Sequence, residues 1–153
     1  MKIIETIVYQ FDELSQEAQS KALMNLHDIN VRENWWDAVY EDAKNIGVKI
    51  KAFDLGRGAE ISLEFTESLV TVAVEIANQR GDESPLVPES LKFIEVIHTG
   101  HNDEDLEEAF KNEIEQDYLT MLQNEYEYLL SDEAVKGTIE ANEYWFTEDG
   151  EWN

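Results

Sequence analysis

Cysteine is absent from the 153 residues. That excludes disulfides and thiolate metal sites, and it is compatible with a reducing cytoplasm. Proline is nearly absent: its two residues, Pro85 and Pro88, share one stretch, "GDESPLVPE", which reads as a loop or small excursion between helices. Basic residues are the third shortage. Eleven Lys and Arg face 35 Asp and Glu, for a formal charge of −24. Phosphate backbones are bound by clusters of Lys and Arg, so this chain is not expected to bind DNA or RNA directly or to adhere to anionic membranes. Long apolar runs are missing as well, and the longest uncharged one, "SLVTVAV", is too short to span a bilayer. The opening "MKIIETIVYQF" has Glu5 inside its apolar run and no small-residue cleavage site, so it does not read as a signal peptide.

Catalytic signatures are lacking too. There is no G-x-S-x-G, no phosphate-cradling glycine loop and no H-E-x-x-H. Among 35 carboxylates a pair that could act as acid and base carries no signal. The expectation is a non-enzymatic chain without a cofactor. One cluster has a metal-like look, "HTGHNDED", with His98, His101, Asp103 and Asp105. Imidazole and carboxylate suit divalent transition metals. A closed site needs four ligands in fixed geometry, and this loop brings no second anchored pair, so it reads as a helix-ending turn with an Asp cap. "FTEDGEWN" has a glycine but not the ligand ladder of a calcium loop. In "DLGRG" the glycines serve a turn, and Arg57 is placed to bind an anion or pair with a local acid.

What is present is a core. Four Trp, six Tyr and six Phe within a 42% apolar chain argue for a packed globule rather than an acidic tail, and the length fits one domain, 1–153. The alternation over 3–11 predicts a strand, and Ser15 caps a predicted helix over 16–29 with Ala18, Ala22, Leu26 and Ile29 on one stripe. A second helix is predicted over 33–46, with Trp36, Val39, Tyr40, Ala43 and Ile46 inward and Gly47 ending it. "VKIKAFDL" and "AEISLEF" flank "GRG" as a hairpin. Helices follow over about 66–79, 89–98 and 104–130, a last short one capped by Ser131 or Asp132 runs to about 141, and "EYWFT" reads as a closing strand. The pattern β-α-α-β-β-α-α-α-α-β predicts an α+β fold: a mainly antiparallel sheet of about four strands, several helices packed on it, and a long acidic C-terminal helix.

That long helix has its apolar stripe at Leu106, Phe110, Ile114, Tyr118, Met121 and Leu129, with Glu108 and Glu115 opposite. Asp117 and Glu125 fall inside or beside the stripe. They read as edge residues reaching outward, with pairing to Lys49 or Lys51 as the alternative. Residues 101–153 hold 17 acids and two bases. The helix alone cannot pass for DNA. Over about 25 residues and roughly 37 Å, its acids recur about every 4.7 Å, against ~1.7 Å for duplex phosphates. Mimicry requires the last helix and tail to extend the surface.

The stretches "FDELSQEAQSKAL", "NWWDAVYEDAKNIGVKI" and "DYLTMLQNEYEYLLSDEAVKGTIEANEYWFTEDG" resemble a group of small acidic proteins encoded by bacteriophages and prophages, some labelled antitoxin of a toxin–antitoxin system. The resemblance implies a phage context, in which small acidic proteins block host defence or nucleic-acid enzymes, and hence a location in the host cytoplasm. It brings no functional residue with it. The expected function is binding and inhibition of a basic, nucleic-acid-acting host protein, by DNA mimicry. The expected partner surface is Glu107, Glu108, Glu115, Glu127, Asp132, Glu133, Glu140, Glu148 and Asp149, with Trp35 and Trp152 as aromatic anchors. Alternatives are an antitoxin-like module neutralising a cognate toxin, and a small-ligand or metal-binding protein. The composition is compatible with a homo-oligomer.

Overall fold

The computed structural model describes residues 1–100 and 103–153. The chain divides into two compact units: a terminal unit of Met1–Trp35 and Glu125–Asn153, and a central unit of Trp36–Asn124.

In the terminal unit β1 (Tyr9–Gln10) pairs antiparallel with β4 (Trp145–Phe146), setting Tyr9 opposite Phe146. Between them come α1 (Gln16–Asn25) and α6 (Asp132–Ala141). Ser15 caps α1 by accepting from the Ala18 N–H at 3.1 Å, and Ser131 caps α6 through Ala134 at 3.2 Å. Each cap satisfies a backbone donor that the first helical turn leaves free. The predicted stripe of α1 holds: Ala18, Ala22 and Leu26 are buried with Phe11, Leu14, Val135, Ile139 and Phe146. The helix stops at Asn25, short of 29, and Ile29–Val31 forms a 3-10 turn instead.

The strand predicted over 3–11 is a correction. Only Tyr9 and Gln10 are paired, because β4 offers two residues to pair with. Residues 1–8 have no regular structure, and Ile3, Ile4 and Ile7 are exposed. β propensity without a ladder partner leaves backbone groups to water, so composition alone does not make a strand.

In the central unit α2 (Asp37–Asn45) packs on β2 (Val48–Asp54), which forms the predicted hairpin with β3 (Glu60–Phe65). Gly47 follows α2 at φ +88, the left-handed position expected after a helix C-cap. Next come α3 (Leu69–Gln79), capped by Ser68, and α4 (Leu86–His98), which pack against each other. α4 begins three residues before the predicted 89. Pro85 stands at its N-cap and Pro88 in its first turn, where a missing N–H costs no helical hydrogen bond. α5 (Glu104–Leu130) has the predicted bounds; its part in this unit ends at Asn124 and buries Phe110, Ile114, Tyr118, Leu119 and Leu122, and its last residues belong to the terminal unit. Phe93 of α4 stacks on Phe110 at 4.6 Å.

The fold is α+β with the predicted element order, but it is not mainly sheet. Among the described residues the four strands form two separate two-stranded antiparallel sheets, β1-β4 and β2-β3. A two-stranded sheet buries little by itself, so the helices supply most of each unit's core.

Candidate functional site

The most organised polar cluster lies in the central unit, around Arg80 at the C-terminal end of α3. Its Nη2 donates to Asp42 Oδ2 at 2.8 Å and to the Tyr118 hydroxyl at 3.0 Å, and its Nη1 donates to Asp117 Oδ2 at 3.2 Å. Tyr118 in turn donates to Asp42 Oδ2 at 2.9 Å. Arg80 and Asp117 are nearly enclosed, at 14% and 12% exposure, while Asp42 keeps 39%. The guanidinium also stands 5.4 Å from the centre of the Tyr118 ring. Burial opposes the arginine's charge, but Tyr118, Asp42 and Asp117 outweigh it and raise its pKa. Burial raises the pKa of Asp117, and the pull of Arg80 does not fully offset it, because one guanidinium is shared between two carboxylates. Burial also keeps the Tyr118 hydroxyl protonated. Four polar groups lock α2, α3 and α5 together, with Asp42 as the member that keeps solvent contact.

This cluster corrects the account of Asp117. It does not reach outward, and its partner is neither Lys49 nor Lys51 but Arg80. The available signal was a carboxylate inside the apolar stripe of α5, which demands a cation in reach. Nothing in the spacing identified the cation as the residue after α3.

The expected partner surface is in large part solvent-facing. Glu108 in the central unit and Glu127, Asp132, Glu133, Glu140, Glu148 and Asp149 in the terminal unit are exposed. Glu107 and Glu115 are half-buried, a correction to the wholly wet face assigned to Glu115. Burial raises the Glu115 pKa, Glu108 adds to it and Lys111 opposes it. Several of the acids have local cations: Glu108 pairs with Lys111 at 3.9 Å and Glu140 with Lys136 at 3.8 Å. Lys21 of α1 serves both Asp149 at 3.5 Å and Glu151 at 3.6 Å. Asp149 also accepts from the Thr147 hydroxyl, which with its backbone contact and Lys21 lowers its pKa. Exposed pairs of this kind are worth little and leave most of the charge available to a partner.

Of the aromatic candidates, Trp152 is 48% exposed and rests on Tyr144, ring centres 4.6 Å apart. Trp35 is half-buried against Tyr126, 5.3 Å away in the same unit. Trp36, expected in the core, is likewise half-buried, packed edge-on to Phe53 at 5.6 Å. It stands at the N-cap of α2 rather than on the helix's buried face. Sequence reasoning missed Trp145, which is 46% exposed. In β4 its neighbour Phe146 faces inward, and strand alternation sends Trp145 outward.

Of the metal-like cluster, His98 ends α4, and Asp103 accepts from the Asp105 N–H at 2.9 Å, a cap for α5. His101 lies outside the described residues. Among the described residues no group of three or more His, Cys, Asp or Glu is arranged to hold a metal ion, and no helix is long and apolar enough to cross a membrane. Arg57 is exposed in the hairpin turn. No protein-family model, curated protein or solved structure matches the chain.

Proposed function

We infer that the chain is a non-enzymatic, phage-type acidic protein that binds and inhibits a basic, nucleic-acid-acting host protein. Its carboxylates occupy the partner's phosphate-binding surface. The observation that carries this reading is the composition of residues 101–153, 17 acids against two bases. In support, Glu127, Asp132, Glu133, Glu140, Glu148 and Asp149 of the terminal unit are exposed, and so are Trp145 and Trp152. Long-range attraction between such a surface and a basic cleft speeds encounter, and desolvated aromatic rings supply holding energy. The acid spacing of α5 alone falls short of duplex density, so the proposed surface draws on α6 and the tail.

The test is capture of proteins from bacterial lysate on immobilised chain, eluted along a salt gradient. The proposal expects a nucleic-acid-binding protein whose retention falls steeply with salt. Retention that is insensitive to salt, or no retention, overturns it. The resemblance to proteins labelled antitoxin favours a second reading, neutralisation of one cognate toxin. That reading expects a toxin gene adjacent to this one and capture of its product.

A further inference from the structure

A hollow of about 550 Å³ opens in the central unit between α2 and β2, within the size range of small-molecule sites. Tyr40, Glu41 and Lys44 of α2 line one side, and Val48, Lys49 and Ile50 of β2 line the other. Thr66, just past β3, adds a hydroxyl-bearing side chain. Tyr40 is half-buried, its ring 6.2 Å from Phe53, and Val48 and Ile50 are at the base of the hairpin's buried face. The hollow therefore combines the half-buried Tyr40 ring with a charged rim, over Val48 and Ile50, which are almost closed off at 1% and 3% exposure.

The rim has the unusual sign for this molecule. Six of the 11 basic residues form ion pairs: Lys21, Arg32, Lys51, Arg80, Lys111 and Lys136. Among the described residues the other five, Lys2, Lys44, Lys49, Arg57 and Lys92, form none, and two of them, Lys44 and Lys49, line this hollow. Both are exposed at the same opening. Glu41 is also in the lining, so the hollow holds two lysines and one carboxylate, while Glu64, opposite Lys49 in the hairpin, pairs with Lys51. That balance suits a ligand with a single anionic head and disfavours a polyphosphate, which Glu41 would repel. The Tyr40 ring calls for a flat hydrocarbon body behind that head.

We propose that this hollow binds a small organic monoanion, its carboxylate or sulfonate held by Lys44 and Lys49 and its apolar body against the Tyr40 ring. Nothing in this depends on a basic partner: the site lies in the central unit and attracts the opposite charge. Lysine serves here as a point charge, without the fixed fork of arginine, so the site selects charge and apolar volume more than head-group geometry.

The probe is 8-anilinonaphthalene-1-sulfonate, with the uncharged N-phenyl-1-naphthylamine as the matched compound lacking the sulfonate. The sulfonate should bind the folded chain with enhanced, blue-shifted fluorescence. The K44Q/K49Q double variant should weaken it by about tenfold or more, equivalent to about 1.4 kcal/mol. K44Q and K49Q singly should each weaken it by a smaller factor, and K51Q, whose lysine already pairs with Glu64, should leave it within twofold. The uncharged compound should bind the chain and the double variant alike. Amide shifts on titration should concentrate at residues 40–50 and 66. Unchanged sulfonate affinity in the double variant, equal loss in K51Q, or shifts centred elsewhere would overturn the proposal. Both lysines are exposed and unpaired, so the variants keep their fold, which circular dichroism verifies.

Discussion

Arg80 and Asp117 meet at 3.2 Å with less than a sixth of either side chain exposed, joining the end of α3 to the middle of α5 in a chain that has three arginines. The pair stands inside a stripe otherwise built of Phe110, Ile114, Tyr118 and Leu122. Removing the cation leaves Asp117 and Asp42 facing each other with only a phenol between them. Arg80→Met should cost about 2–4 kcal/mol. That is near the 3–5 found for fully buried pairs, but discounted because Asp42 keeps solvent contact. Urea unfolding reads this directly, and a loss below about 1 kcal/mol would show that the cluster is dispensable.

The same cluster sets a sign for acid stability. Burial holds the Asp117 pKa above its usual 3.8, so the folded chain binds that proton more tightly than the unfolded chain. Asp117's own contribution is therefore largest below pH 3.8 and is lost as pH rises through its folded pKa. The stability of the parent chain relative to Asp117→Asn should grow as pH is lowered from 7 towards 4. A difference that shrinks on acidification would mean that Arg80 outweighs burial.

Gly150 fastens the tail to α1. Its φ is +91, and a Cβ there would run into the carbonyl oxygen of Ala18. Neither backbone can yield cheaply, because the Gly150 N–H bonds the Thr147 carbonyl at 3.0 Å and Ala18 lies in a capped helix. Gly150→Ala should cost about 3 kcal/mol or more, combining left-handed strain with a backbone clash. Gly81→Ala, where a Cβ meets nothing within 4 Å, should stay within about 0.5 kcal/mol. Thermal unfolding of the two variants side by side tests this, and equal effects would refute it.

Much of this architecture was legible in the sequence, and the misses have physical causes. Ser15, Ser131 and Gly47 mark helix ends through local chemistry, so the starts of α1 and α6 and the end of α2 could be placed by reading a few neighbouring residues, whereas the cap at Ser68 was missed and α3 was expected from 66. The stripe of α5 was legible because 27 residues average out individual exceptions. The sheets were not. Whether Ile3, Ile4 and Ile7 join a strand depends on a partner more than 130 residues away, and propensity carries no information about it. The Arg80 cluster failed for the same reason: Asp117 showed that a cation was needed, but only the tertiary fold selects which one.

Trp35 and Trp152 should separate stability from binding. Trp35 is half-buried on Tyr126, so Trp35→Ala should lower stability by about 1–3 kcal/mol. Trp152 is 48% exposed, and Trp152→Ala should cost under about 1 kcal/mol yet weaken partner capture. Loss of capture with Trp35→Ala at full stability, and none with Trp152→Ala, would reverse these roles.

Self-repulsion is the cost of the charge. With a net −24, the folded state should gain stability as salt screens its acids, over the range in which the Debye length falls from about 30 Å to about 3 Å. The melting temperature should rise between 0.01 and 1 M sodium chloride. A fall would show that exposed pairs such as Lys21 with Asp149 outweigh the repulsion.

The most direct test of the proposed function is displacement by the molecule imitated. The basic protein captured on the immobilised chain is challenged with excess duplex DNA of unrelated sequence, and the experiment is repeated with D132N/E133Q/E140Q/E148Q in place of the parent chain. Mimicry predicts that duplex DNA releases the partner and that the neutralised variant captures little of it. A partner that stays bound under excess duplex, or is held equally by the neutralised variant, would contradict it.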